Sequence, residues 1–158
     1  MKKLFGILLA VLLLSGCGKN GGKDLAVYTF SGSDGQFAVT NGAAVFSDQT
    51  DVFEGGSLAL QQDVPEDVTA YTMTFYVNYK GERRTLMSNS VVDETGGTLQ
   101  PGEDLGRRAT DGAEGYLGRT TDWQEELRNG LSFVLTITQK SGEQRTYEIP
   151  MVVECILG

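Results

Sequence analysis

Between Val68 and Lys80 the chain alternates with a period of two. Tyr71, Met73, Phe75, Val77 and Tyr79 share one parity; Thr72, Thr74, Asn78 and Lys80 share the other, with Tyr76 among them. Alternate side chains point to opposite faces only in an extended strand, so this stretch predicts one face in a core and one in water. A helix would scatter the same aromatics around its circumference. Two further stretches carry the same signature. Leu131, Phe133, Leu135 and Ile137 oppose Ser132, Thr136 and Thr138, and Tyr147, Ile149, Met151 and Val153 share a face within Gln144 to Glu154. Pro150 has no N–H to donate to a ladder, which predicts an edge strand or a bulge there.

Turn signals punctuate the rest. Leu25 to Phe30 is a strand candidate, closed by Ser31-Gly32-Ser33-Asp34-Gly35. Asn41-Gly42, between Gln36–Thr40 and Ala43–Ser47, predicts a two-residue hairpin, because both residues tolerate positive φ. Asp48 to Asp51 and Glu54-Gly55-Gly56 predict further turns before a strand over Ser57 to Gln62, which Val64-Pro65-Glu66-Asp67 ends. Lys80-Gly81-Glu82 leads into a partner strand over Arg83 to Val92. Thr121 or Asp122 can cap a short helix over 122–129, with Glu125 in capping-box spacing from Asp122, and Trp123 and Leu127 are expected to dock on a sheet. The expectation is an all-β chain of about seven to nine strands with one short helix: an antiparallel β-sandwich, immunoglobulin-like or similar. The Cys-Trp-Cys spacing of antibody domains is absent from the sequence.

Glu94 to Thr120 breaks the pattern. Its 27 residues hold seven glycines and few large apolar side chains: Leu99, Leu105, Tyr116 and Leu117. An irregular loop of that length is unusual in a compact domain, so it either contains a short strand near Leu105 to Ala109 or forms a functional surface loop.

Composition narrows the chemistry. There is no histidine, which removes Ser-His-Asp and Cys-His catalysis, histidine-ligated zinc and the commonest near-neutral general base. The formal net charge is −8. An acidic surface disfavours nucleic acid and anionic headgroups as partners and is explained by solubility alone.

At the N-terminus, Met1-Lys2-Lys3 precedes an eleven-residue apolar run from Leu4 to Leu14, then Ser15-Gly16-Cys17. As a helix the run would extend ~16 Å, against ~30 Å of hydrocarbon, too short to remain as a spanning anchor. Leu14-Ser15-Gly16-Cys17 resembles the lipobox of bacterial prolipoproteins. The resemblance implies a signal peptide over 1–16, cleavage between Gly16 and Cys17, and a diacylglycerol on the Cys17 sulfur, with acyl chains such as palmitate. Two such chains give gross anchoring on the order of 20 kcal/mol, where one short chain is marginal. Removing Lys2 and Lys3 leaves eleven basic residues against twenty-one acidic ones, a net charge of −10. Gly18 to Asp24 reads as a flexible tether, and 25–158 as a single sandwich domain. Gly18 is not the aspartate associated with inner-membrane retention. With Cys17 acylated, Cys155 is expected to be a buried, inert thiol with no intramolecular disulfide. Tyr28-Thr29-Phe30-Ser31-Gly32, Asn41-Gly42 and Gly55-Gly56-Ser57-Leu58 also resemble small lipoproteins of Gram-positive bacteria, a likeness that implies no activity.

Candidate sites beyond Cys17 are weighed against plainer roles. Asp48, Asp51 and Glu54, which Asp34 can join only if folding brings it near, lack the ligand ladder of a calcium loop and are expected to be solvated turn carboxylates, with no metal or cofactor. Arg107, Arg108 and Arg119, around Tyr116, can clamp an anionic or sugar ligand, but the acids Glu103, Asp104, Asp111 and Glu114 in the same loop predict ion pairing instead. Trp123 is expected to anchor the helix rather than stack a sugar. The chain is therefore read as a non-enzymatic, membrane-anchored, extracytoplasmic interaction or structural module of the cell envelope with a protein partner. The alternatives are a carbohydrate or small-ligand binding domain using the 94–120 loop and, more remotely, a carboxylate-based envelope hydrolase.

Overall fold

The computed structural model describes residues 25–47, 50–63, 67–92, 102–111 and 121–158. The alternating stretch at its centre is β5 (Val68–Tyr79), which turns through Lys80 and Gly81, at φ 52° and 81°, into β6 (Glu82–Val92). Two consecutive left-handed residues match the right-handed twist of paired strands. The other flank of β5 pairs with β9 (Leu131–Gln139), and β9 with β10 (Gln144–Pro150), giving an antiparallel sheet in the order β10-β9-β5-β6.

The larger sheet is built from β1 (Ala26–Ser33), β2 (Phe37–Phe46), β3 (Thr50–Glu54), β4 (Ser57–Leu60), β7 (Glu103–Asp104), β8 (Arg107–Asp111) and β11 (Val152–Leu157). Its main path is β11-β1-β2-β3-β8, with β4 against β2 and β7 against β4. Together the two sheets form an all-β antiparallel sandwich, as expected.

The predicted Asn41-Gly42 hairpin is corrected. β2 runs straight through these residues, with Asn41 at φ 59° and the β1 register shifting between Phe30↔Gly42 and Gly32↔Val39. The positive φ that suits a hairpin turn also suits a bulge. A Cβ on Gly42 would collide with the Phe30 ring. Opposite the bulge, Gly55 and Gly56 break the partner into β3 and β4; a Cβ on Gly56 would meet the Thr40 carbonyl.

The inward faces meet in a phenylalanine cluster. Phe30 stacks on Phe53 with ring centroids 5.1 Å apart, and Phe75 packs edge-on against both, at 5.6 and 5.1 Å. Phe133 lies 4.9 Å from Phe75. β1 and β3 are thereby locked to β5 of the other sheet. All the inward residues predicted on β5 and β9 are buried.

Both flanks of the sandwich are stitched. On one, the final strand predicted over Gln144 to Glu154 is corrected to two: β10 ends at Pro150 as the edge of one sheet, and β11 begins at Val152 as the edge of the other. Met151, buried at the crossing, donates its N–H to the Leu131 carbonyl at 3.0 Å. On the other flank, part of the glycine-rich segment belongs to the sheet. β7 and β8 surround Leu105, which is fully buried and whose carbonyl accepts from Asn89 Nδ2 at 2.8 Å. Arg108 Nη1 donates at 3.1 Å to the carbonyl of Leu86, the residue bulged out of register on β6. The helix α1 (Thr121–Gly130) leads into β9 and buries Leu127.

Candidate functional site

The outward face of β10-β9-β5-β6 carries hydroxyls in register. One row across all four strands reads Thr146, Thr136, Thr72, Ser90. Thr136 and Thr146 share a hydrogen bond at 3.3 Å, and Thr72 and Ser90 one at 3.0 Å. The next row reads Glu148, Val134, Thr74, Ser88, with Thr74 and Ser88 bonded at 2.8 Å. Such cross-strand pairs fit the small branched side chains of these outward positions.

The third row is Pro150, Ser132, Tyr76, Thr85. The Arg83 guanidinium lies over the Tyr76 ring, 5.0 Å from its centroid, and pairs with Glu148 on the opposite edge strand. An ion pair thus spans β5 and β9 across the face. Ser132, between Tyr76 and Pro150, is buried, and its Oγ has no hydrogen-bond partner among the described residues. An aromatic ring, a planar cation and a carboxylate gather on this outward face, above the buried Ser132 hydroxyl. These groups can stack a flat or ring-shaped ligand and hydrogen-bond hydroxyls at its rim. Tyr76 was legible as an aromatic among polar neighbours; Glu148, sixty-five residues from Arg83, carried no local signal.

The residues singled out from sequence are dispersed. Cys17, Asp48, Tyr116 and Arg119, the ends of the 94–120 loop and the side chain of Trp123 lie outside the described residues. Asp51 is buried on the inward parity of β3, whereas Glu54 is exposed on the outward one, so the two carboxylates point to opposite faces and cannot share an ion. Asp34 accepts the N–H groups of Gln36 and Phe37 at 2.9 and 2.8 Å and closes the β1–β2 turn. Among the described residues, no three side chains capable of ligating a metal converge. Arg107 and Arg108 are consecutive on β8 and face opposite ways, so they do not form one clamp.

Cys155 departs from expectation. Its side chain is half-buried against the core rather than enclosed, and it is disulfide-bonded. The chain's one other cysteine is Cys17.

Two tyrosines hold their protons tightly. Burial, then a hydrogen bond to Glu103 and that carboxylate's charge, push Tyr71 up to about 12. Tyr28 is raised by burial, with Arg128 opposing. The Tyr71–Glu103 contact joins β5 to β7 and is a third stitch on the flank held by Asn89 and Arg108.

Among the described residues no helix is long and apolar enough to cross a membrane. No family model, curated protein or solved structure matches the chain.

Proposed function

We propose that the chain is a bacterial lipoprotein held by a lipidated Cys17 on the extracytoplasmic face of the cell membrane, or in the outer membrane of a Gram-negative envelope. Its sandwich acts there, without catalysis, as an interaction or structural module. The observation that carries this reading is the order Lys2-Lys3, apolar run, Leu14-Ser15-Gly16-Cys17, glycine-rich tether, then a first strand beginning at Ala26.

A sulfur carrying a diacylglycerol thioether has no valence for a second sulfur, so the lipid reading requires that the disulfide at Cys155 be absent from the anchored protein, with Cys155 a thiol there. Intact-mass and peptide analysis of the protein from its native envelope separates the two forms. The expected result is a chain beginning at lipidated Cys17; an unlipidated chain with Cys17 joined to Cys155 overturns the reading. Cross-linking in the intact envelope is expected to trap one protein partner in stoichiometric amount.

A second reading is favoured by the Arg83–Tyr76–Glu148 arrangement: binding of a carbohydrate on the outward face of β10-β9-β5-β6, rather than on the 94–120 loop. Titration of the protein with a panel of envelope and wall glycans, followed by thermal shift, tests it. Stabilisation that disappears in Tyr76→Ala supports this site, and no shift at millimolar glycan removes it.

A further inference from the structure

The outward face of the larger sheet is apolar where the tether leaves it. Leu157 pairs with Val27, Val27 with Val45, Val45 with Val52, and Val52 with Ala109, so one apolar row crosses all five strands of the main path. At the usual strand spacing this row is about 19 Å long. Its corner, formed by the first described residue and the last strand, is the most open part: Leu25 is 47% exposed, Ile156 62% and Leu157 51%. Between Val27 and Tyr28 the register slips, and Ile156 is the extra residue pushed out of the ladder. A contiguous apolar band on a solvent face calls for a covering partner.

We infer that this band rests on the bilayer surface, its open corner inserted among the headgroups; the inference depends on the lipid anchor at Cys17. Seven residues, 18–24, lie between Cys17 and Leu25, a span of eight Cα–Cα steps. A glycine-rich chain of that length has a root-mean-square span of about 16 Å and a limit near about 28 Å. The anchor therefore holds the corner within one domain radius of the lipid, while its attachment at Leu25 turns that corner towards the membrane. Tethering makes the contact intramolecular, at an effective concentration in the millimolar range, so a surface too weak to bind lipid by itself is enough. The mature net charge of −10 gives anionic headgroups nothing to attract. The contact is accordingly apolar and interfacial, and salt does not weaken it, since screening only relieves the repulsion between the acidic domain and anionic headgroups.

Hydroxyl-radical footprinting of the lipidated full-length mature protein tests the inference, in phosphatidylethanolamine–phosphatidylglycerol vesicles against the Cys17→Ser chain free in solution. Val92, 71% exposed at the end of β6 remote from the tether, is the internal reference. Oxidation of Leu25, Ile156 and Leu157 is expected to fall several-fold on vesicles with Val92 unchanged, at low and high salt alike. An Ile156→Glu/Leu157→Glu chain that keeps its β-sheet spectrum is expected to lose the protection of Leu25. Unchanged oxidation in a protein whose mass shows the lipid overturns the docking and leaves the anchor standing. A mass without lipid overturns both. Protection that appears in the free Cys17→Ser chain and grows with protein concentration overturns docking in favour of a second copy.

Discussion

Gly42 keeps open the space that the ring of Phe30 fills, since a Cβ at residue 42 would fall inside the ring's own volume. Gly42→Val therefore forces apart β1 and β2 beside the phenylalanine cluster. It is expected to lower stability by about 2–3 kcal/mol, read as a shift of the urea midpoint at constant slope. Gly142→Ala, at an open turn of φ 84° with nothing near its Cβ, is expected to cost about 1 kcal/mol.

Leu105 stands among glycines and acids yet is fully buried. Leu105→Ala leaves a cavity beside Met87 and Phe75, both close to the neighbouring Gly55. The expected loss is about 3 kcal/mol in chemical denaturation, typical of a large-to-small core substitution and far above that of a surface loop residue.

Tyr71 gives a pH dependence of known sign. Its hydroxyl is raised from 10.0 to about 12 by burial and by Glu103. The folded chain keeps a proton that the unfolded chain releases, so this stabilisation is complete below pH 10, declines as pH rises towards 12 and is lost above it. Tyr71→Phe is expected to flatten the fall of stability over that window by about 1–2 kcal/mol, measured as the difference between the two proteins' thermal unfolding curves.

The Arg83–Glu148 pair spans a whole sheet, but its side chains are 46% and 50% exposed. A double-mutant cycle to alanine is expected to give a coupling below about 1 kcal/mol that shrinks in salt. A near-zero stability effect beside a marked effect on glycan binding would mark the pair as part of a recognition surface.

Much of the fold was legible because it rests on local alternation. β5 and β9 were readable residue by residue, since each buries one parity. Asn41-Gly42 was misread because a hairpin turn and a bulge ask for the same left-handed backbone; only the facing Phe30, and the break at Gly55-Gly56, select the bulge. The last strand was misread because parity survives the crossing. Ile149, Met151 and Val153 stay inward while the chain changes sheets at Pro150, which the missing N–H anticipated only as an edge or bulge. The outward cluster was half legible: Tyr76 stood out, but its partners come from another strand and from the distant edge, where no local rule reaches.

The first strand sits inside its sheet, with β11 on one side and β2 on the other. A chain held at residue 17 and pulled through residue 25 transmits force along β1, and both flanking ladders bear that load together, in shear. Hydrogen bonds loaded in parallel must yield at once, whereas those peeled from an end yield one after another. Under the proposed lipid anchor, the point where the chain enters β1 at Ala26 is thus mechanically the firm end of the sandwich.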